Sequence, residues 1–110
     1  MSGVPLTQAK SDLFRALAHP VRVRVLELLV DRPMTVAELR ADVGVEASSL
    51  SQQLAVLRAA GVVSSTRRGT TVVYAVSSPA VTDLLAAGRA VLSDVWSGAG
   101  DMLAELREGS

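Results

Sequence analysis

Five hydrogen-bonding side chains, Ser48, Ser49, Ser51, Gln52 and Gln53, crowd into six consecutive positions of this 110-residue chain. Short hydroxyls and carboxamides both donate and accept, which suits recognition of base edges in a duplex. Arg58, Arg67 and Arg68 follow, and guanidinium groups hold phosphates. Between Ala47 and Thr82 there is no acidic residue, so this window carries +3. Before it, six basic residues balance six acids; after it, from Asp83 onward, five acids meet two arginines and leave −3. The net charge of zero hides this segregation. Local sign decides what such a surface attracts, because salt confines each charge to roughly 8–10 Å around itself.

The elements that must position these residues follow from periodicity. Leu6, Lys10, Leu13 and Leu17 recur at helical spacing with Ala9 and Phe14 beside them, which predicts a helix over about Thr7–Ala18. Pro20 opens a second helix through Val30, where its missing N–H costs nothing, and Val21, Val25, Leu28 and Leu29 form its inner stripe. After the break at Asp31-Arg32-Pro33, Thr35 and Glu38 make a capping-box pattern for a short helix that ends near Val43 on Gly44. The next helix covers about 47–60 and stops at Gly61, with Leu50, Leu54 and Leu57 on its inner face. Two helices joined by a short glycine-containing turn outline a helix-turn-helix. The β-branched runs Val62–Thr66 and Thr71–Val76 flank Arg67-Arg68-Gly69-Thr70, a hairpin over about 62–76. A helix-turn-helix followed at once by a basic-tipped hairpin is a winged helix.

Ser78-Pro79 starts a last helix over about 79–97. Its apolar stripe is Val81, Leu84, Leu85, Gly88, Val91, Leu92, Val95 and Trp96. The stripe runs on into Met102, Leu103 and Leu106, and the sequence leaves open whether the helix continues past Gly98 and Gly100 to 108. A domain this small has little interior for so long a stripe, which points to a two-fold partner. Leu6, Leu13, Leu84, Val91, Leu92, Val95 and Trp96 are the expected dimer contacts. The expected fold is mostly α with a small β-hairpin (α+β), one winged helix-turn-helix domain over 1–110. Its element order is α-α-α-α-β-β-α, dimerising through the first and last helices.

With Leu50 pointing inward and 100° per residue, Ser48, Gln52 and Ala55 point outward, Ser49, Ser51 and Val56 lie on the shoulders, and Gln53 falls nearer the buried edge. Small polar side chains leave room for a helix in the major groove, and the N-terminal half of the second helix is the part that docks. Serine and glutamine also occur on ordinary solvated helices. Three serines in four residues, however, carry a helix-propensity penalty where Glu and Lys would be preferred. Base contact is therefore assigned to Ser48, Ser49, Ser51, Gln52 and Gln53, and backbone contact to Arg67, Arg68 and Thr70 of the wing. Arg58, late in its helix, is assigned to the negative end of the helix dipole instead.

Composition narrows the remaining classes. One each of Phe14, Tyr74 and Trp96 gives almost no stacking platform for single strands or RNA loops, so double-stranded DNA is the expected partner. No cysteine means no disulfide, thiolate metal site or thiol switch. The single imidazole, His19, sits in Ala-His-Pro, where capping or packing the second helix outweighs metal binding, since a zinc-type site needs three or four ligands. No metal site and no cofactor are expected. Catalysis lacks a nucleophile–base pair or a phosphate loop. No apolar run reaches membrane-spanning length and no signal pattern opens the chain, so no membrane association is expected and the protein is placed in the cytoplasm.

The run Phe14-Arg-Ala-Leu-Ala-His-Pro-Val-Arg-Val-Arg-Val-Leu-Glu-Leu-Leu resembles the opening of ArsR-type winged helix-turn-helix repressors. Ser48-Ser-Leu-Ser-Gln-Gln-Leu-Ala-Val-Leu-Arg-Ala-Ala-Gly-Val-Val and Arg68-Gly-Thr-Thr-Val-Val-Tyr extend the likeness over about residues 10–95. The resemblance implies a homodimer, paired through first and last helices, that represses from an inverted-repeat operator and lets go when a metal or other signal binds. The chain departs from the family's cysteine sites, and its last helix offers Asp83 and Asp94 without a histidine, so its residues name no inducer. Two alternatives remain beside a regulated repressor: a winged helix used only for protein–protein contact, and a DNA-binding repressor with no ligand response.

Overall fold

The computed structural model describes residues 3–108, apart from the side chain of Leu103. The elements in order are α1 Leu6–Leu17, α2 Pro20–Asp31, β1 Met34–Thr35, α3 Val36–Val43, α4 Ala47–Ala59, β2 Val63–Arg68, β3 Thr71–Val76 and α5 Pro79–Glu108. The helix order and the hairpin match the expectation from sequence. The short β1 is additional. Met34 pairs with Tyr74 and Thr35 with Val73, which turns the hairpin into a three-stranded antiparallel sheet of order β1-β3-β2.

Local chemistry sets most boundaries. His19 Nδ1 accepts a hydrogen bond from the Val21 N–H at 3.1 Å, so the lone imidazole is the N-cap of α2, with Pro20 in the first turn behind it. Thr35 and Glu38 form the reciprocal capping box of α3: the Glu38 N–H donates to Thr35 Oγ1 at 3.1 Å, and the Thr35 N–H donates to Glu38 Oε1 at 2.9 Å. Gly44 ends α3 at φ +74°, a left-handed conformation that glycine adopts without a Cβ clash. At the end of α4, the Gly61 N–H donates to the Arg58 carbonyl and the Val62 N–H to the Leu57 carbonyl. That pair of bonds is a Schellman termination. Ser78 Oγ accepts from the Ala80 N–H and caps α5.

One core joins these elements. Val25, Leu26 and Leu29 of α2, Leu39 of α3, and Leu50, Leu54 and Leu57 of α4 are buried together with Met34, Val62, Val63 and Val81. A further tie crosses it from the side. Arg22 on α2 donates from Nε to the Ala16 carbonyl at 2.6 Å and from Nη2 to the Arg15 carbonyl at 3.3 Å, while Nη1 reaches Gln53 Oε1 on α4 at 2.8 Å.

α5 departs from the rest. Val81 is buried and Leu85 packs against the core, but every described side chain from Ala86 to Glu108 is exposed. The helix runs unbroken through Gly98 and Gly100 to Glu108, which settles the continuity that the sequence left open. Thirty residues span about 45 Å. The molecule is accordingly elongated, 65 × 40 × 24 Å with a radius of gyration of 17.9 Å, against about 13 Å for a compact chain of this size. Among the described residues, no helix is long and apolar enough to cross a membrane.

Two measurements check this account of the frame. Leu54→Ala empties a site that is 2% exposed and should cost about 2–5 kcal/mol in urea unfolding, with the helical signal retained in the folded state. Glu38 is held below the ordinary carboxylate range, first by the Thr35 backbone N–H and then by Arg32, whose Nη1 lies 2.9 Å from Oε2. A carboxylate lowered in the folded state stabilises fully above the unfolded value and loses that contribution as pH falls through the folded one. Between about pH 5 and about pH 3 the native chain should therefore lose more stability than Glu38→Gln, read as the change in urea midpoint with pH.

Candidate nucleic-acid interface

α4 is buried on one side only. Leu50, Leu54 and Leu57 hold its inner face against α2 and the sheet, and Ser48, Ser51, Gln52, Ala55 and Val56 are exposed on the other. Ser49 and Gln53 are half-buried at the flank. Of the five predicted base-contact residues, the structure thus brings Ser48, Ser51 and Gln52 onto one open face, with Ser49 at its margin. Gln53 is turned toward the frame, its amide oxygen occupied by Arg22. The sequence wheel had placed Gln53 near the buried edge, but nothing in the sequence showed its partner.

The N-terminus of α4 is open. Glu46 stands at the N-cap without a side-chain cap bond, and the turn Gly44–Glu46 leads straight into the helix. First-turn N–H groups that lack a helical partner present partial positive charge outward, toward an anion such as a phosphate.

The wing occupies the expected span, but its first strand runs further and its turn is tighter than the sequence suggested. β2 extends through Arg67 and Arg68, which pair with Val72 and Thr71, leaving a two-residue turn of Gly69 and Thr70. Gly69 takes φ +65°, so a side chain there would be strained. Thr66 to Thr71 are all exposed, and β1 pairs only with Val73 and Tyr74, so the tip projects as a two-stranded ribbon. Successive strand residues point to opposite faces. Arg67 therefore shares the face of Val63 and Ser65, and Arg68 that of Ser64 and Thr66. The two arginines flank the ribbon instead of forming one patch.

The electrostatics agree with the segregation read from sequence. Arg15–Asp12, Arg24–Glu27 and Arg32–Glu38 form ion pairs, all outside the acid-free window. Among the described residues, Arg58, Arg67 and Arg68 make no ion pair. Arg58 lies in the last turn of α4, where its charge faces the negative end of the helix, but the hydrogen bonds there come from the Gly61 and Val62 N–H groups. No group of three or more His, Cys, Asp or Glu among the described residues is arranged to hold a metal ion.

The predicted dimer contacts divide. Leu6, Val91, Leu92, Val95 and Trp96 are exposed, Trp96 at 68%. Leu13 and Leu84 are half-buried, and Leu13 packs against the chain's own core, so it also serves the monomer. Phe14, 56% exposed, was not among the predicted contacts, although its place beside Leu13 in the helical period could have marked it. It lines an open apolar cleft of about 1100 Å³ between α1, α2 and α5, together with Leu84, Leu92 and Trp96. Met102 and Leu106 continue the exposed stripe to the end of α5.

The family described as "Bacterial regulatory protein, arsR family" matches residues 19–65, the stretch from the α2 cap to the start of the wing. The chain is 48% identical over 110 residues to the HTH-type transcriptional regulator Rv0081 of Mycobacterium tuberculosis, covering 99% of this chain and 96% of that protein. The crystal structure of Rv0081 superposes with a TM-score of 0.82 at 49% identity, over 88% of this chain and 98% of the other. The transcriptional repressor BigR from Xylella fastidiosa gives a TM-score of 0.72 at 30% identity, covering 77% of this chain and 87% of that one. The homodimeric winged helix-turn-helix DNA-binding domain Mb0332 from Mycobacterium bovis shares the fold, with a TM-score of 0.77 at 24% identity over 89% of this chain and 95% of that one. With an exposed helix-turn-helix face, an unpaired basic wing and these relatives, the chain belongs to the ArsR family of bacterial regulatory proteins and is a DNA-binding transcriptional regulator.

Proposed function

We propose that this protein is a homodimeric, cytoplasmic repressor that reads an inverted-repeat operator with α4 and grips the flanking backbone with the β2–β3 wing. The observation that carries the reading is the one-sided burial of α4. Its leucines fix it to the core, while Ser48, Ser51 and Gln52 stand clear beside a ribbon bearing two unpaired arginines. Gln52 is the outward carboxamide able to pair with an adenine edge, and Ser48 and Ser51 add single hydrogen bonds, with Ser49 at the margin. Arg67 and Arg68, on opposite faces of the ribbon, meet phosphates or the minor groove on either side, with Thr70 at the tip. Gln53 supports the reading helix from its flank.

The dimer supplies the second half-site. The exposed apolar face of α5, with Val91, Leu92, Val95 and Trp96, continues across the cleft onto Phe14 of α1, the helix that also exposes Leu6, and a second copy related by a two-fold axis would cover both helices. That Mb0332 is homodimeric and BigR a transcriptional repressor supports this reading. The family resemblance adds release of the operator by a signal as the regulated step.

Fluorescence anisotropy on a labelled duplex that the native chain binds gives the expected pattern. Gln52→Ala should reduce discrimination between that duplex and a scrambled one, by about 1–3 kcal/mol at the position read. Arg68→Ala should weaken both duplexes alike and lower the salt slope by about one phosphate contact. For the dimer, Trp96 emission should shift on dilution as the face becomes wet, and Leu92→Glu should sediment as a monomer with the winged helix still folded. A native chain that sediments as a monomer at micromolar concentration would contradict the dimer.

A further inference from the structure

Arg22 belongs neither to the exposed face of α4 nor to the wing, yet its guanidinium joins two elements that those functions must keep in register. Nε and Nη2 take the Ala16 and Arg15 carbonyls, and Nη1 takes the amide oxygen of Gln53. The two carbonyls are among the last of α1, and that of Arg15 also accepts from the Ala18 N–H at 3.1 Å, so the cation sits at the negative end of the α1 dipole. Arg22 is half-buried and none of the ion pairs involves it. What it satisfies is geometry. A planar fork reaches three acceptors at fixed angles, which a lysine ammonium cannot do.

We infer that Arg22 is a positioning residue for DNA reading, locking α4 at Gln53 to the end of α1 so that the outward face is held in one register relative to the dimer face. The inference rests on the proposed function above. Gln53 directly follows Gln52 and lies two residues from Ser51, so a shift of α4 at that bond moves the side chains that face the groove. Recognition of this kind tolerates about 0.5 Å or 10–20° of misplacement. At its other end the fork holds α1, whose Leu6 and Phe14 lie on the face assigned to the second copy. The two reading helices of the dimer are thereby set against each other through Arg22.

The test uses the full chain and a duplex selected by the native chain from random sequence, compared with a scrambled duplex of the same length. Arg22→Lys keeps the charge, so affinity for the scrambled duplex and the salt slope should stay as they are. The selected-to-scrambled affinity ratio should fall about tenfold. Gln53→Ala should lower the ratio by a similar factor, and the double variant should fall no further than either alone, because all three remove the same tie. A lowered thermal midpoint with an unchanged ratio would show Arg22 to be a stability strut only and overturn the inference. A ratio that falls for Gln53→Ala but not for Arg22→Lys would place Gln53 itself on the DNA and overturn it as well. Should Arg22→Lys fail to fold, Gln53→Glu decides. It keeps an acceptor for Arg22, so the ratio survives if Gln53 is a strut and is lost if Gln53 touches bases. A native chain that binds no duplex overturns the proposed function itself, an outcome distinct from each of these.

Discussion

The structure turns on the burial of one side of α4. Leu50 and Leu57 are fully enclosed and Leu54 nearly so, and each buried leucine contributes about 1.5–3 kcal/mol relative to exposure. That investment fixes the rotation of the helix about its own axis. Once the leucines point inward, Ser48, Ser51 and Gln52 have to point out. Polar residues of low helix propensity can then occupy the open face, because the core and the Schellman termination at Gly61 hold the helix in place of propensity. Function is displayed on one side because stability is secured on the other.

The same economy leaves α5 short of cover. Its first turns close the core through Val81 and Leu85, and the remaining length carries Val91, Leu92, Val95 and Trp96 into solvent. A contiguous apolar face of this kind calls for a partner. The acidic residues of the chain lie at this end and in the N-terminal half, where Asp12, Glu27 and Glu38 pair with Arg15, Arg24 and Arg32. In the proposed function charge and apolar surface serve opposite uses: the acid-free window faces phosphate, and the acid-flanked stripe faces a second copy.

Much of this was legible because it is encoded locally. The capping box at Thr35 and Glu38, the glycine stops at Gly44 and Gly61, and the Ser78 cap each announce a boundary within three or four residues. The leucine period of α4 gave its inward face and therefore its outward one. What escaped is long-range or too short for a period. Two residues, Met34 and Thr35, form a strand only because β3 lies beside them, and Thr35 was already accounted for as a cap. Arg67 and Arg68 looked like loop residues until their pairing with Val72 and Thr71 placed them on β2. Gly98 and Gly100 each weaken a helix by about 1 kcal/mol, and the helix nevertheless continues through them. The role of Arg22 left no local trace, since its partner Gln53 is 31 residues away.

In the proposed function two copies of a one-sidedly buried α4 read duplex DNA symmetrically. Selection from a random duplex library by the native chain, followed by sequencing of the bound fraction, decides the matter. An inverted repeat whose half-sites are centred about one helical turn apart should be enriched, bound by two chains per duplex. Enrichment of no sequence, or of a single asymmetric site bound by one chain, would contradict it.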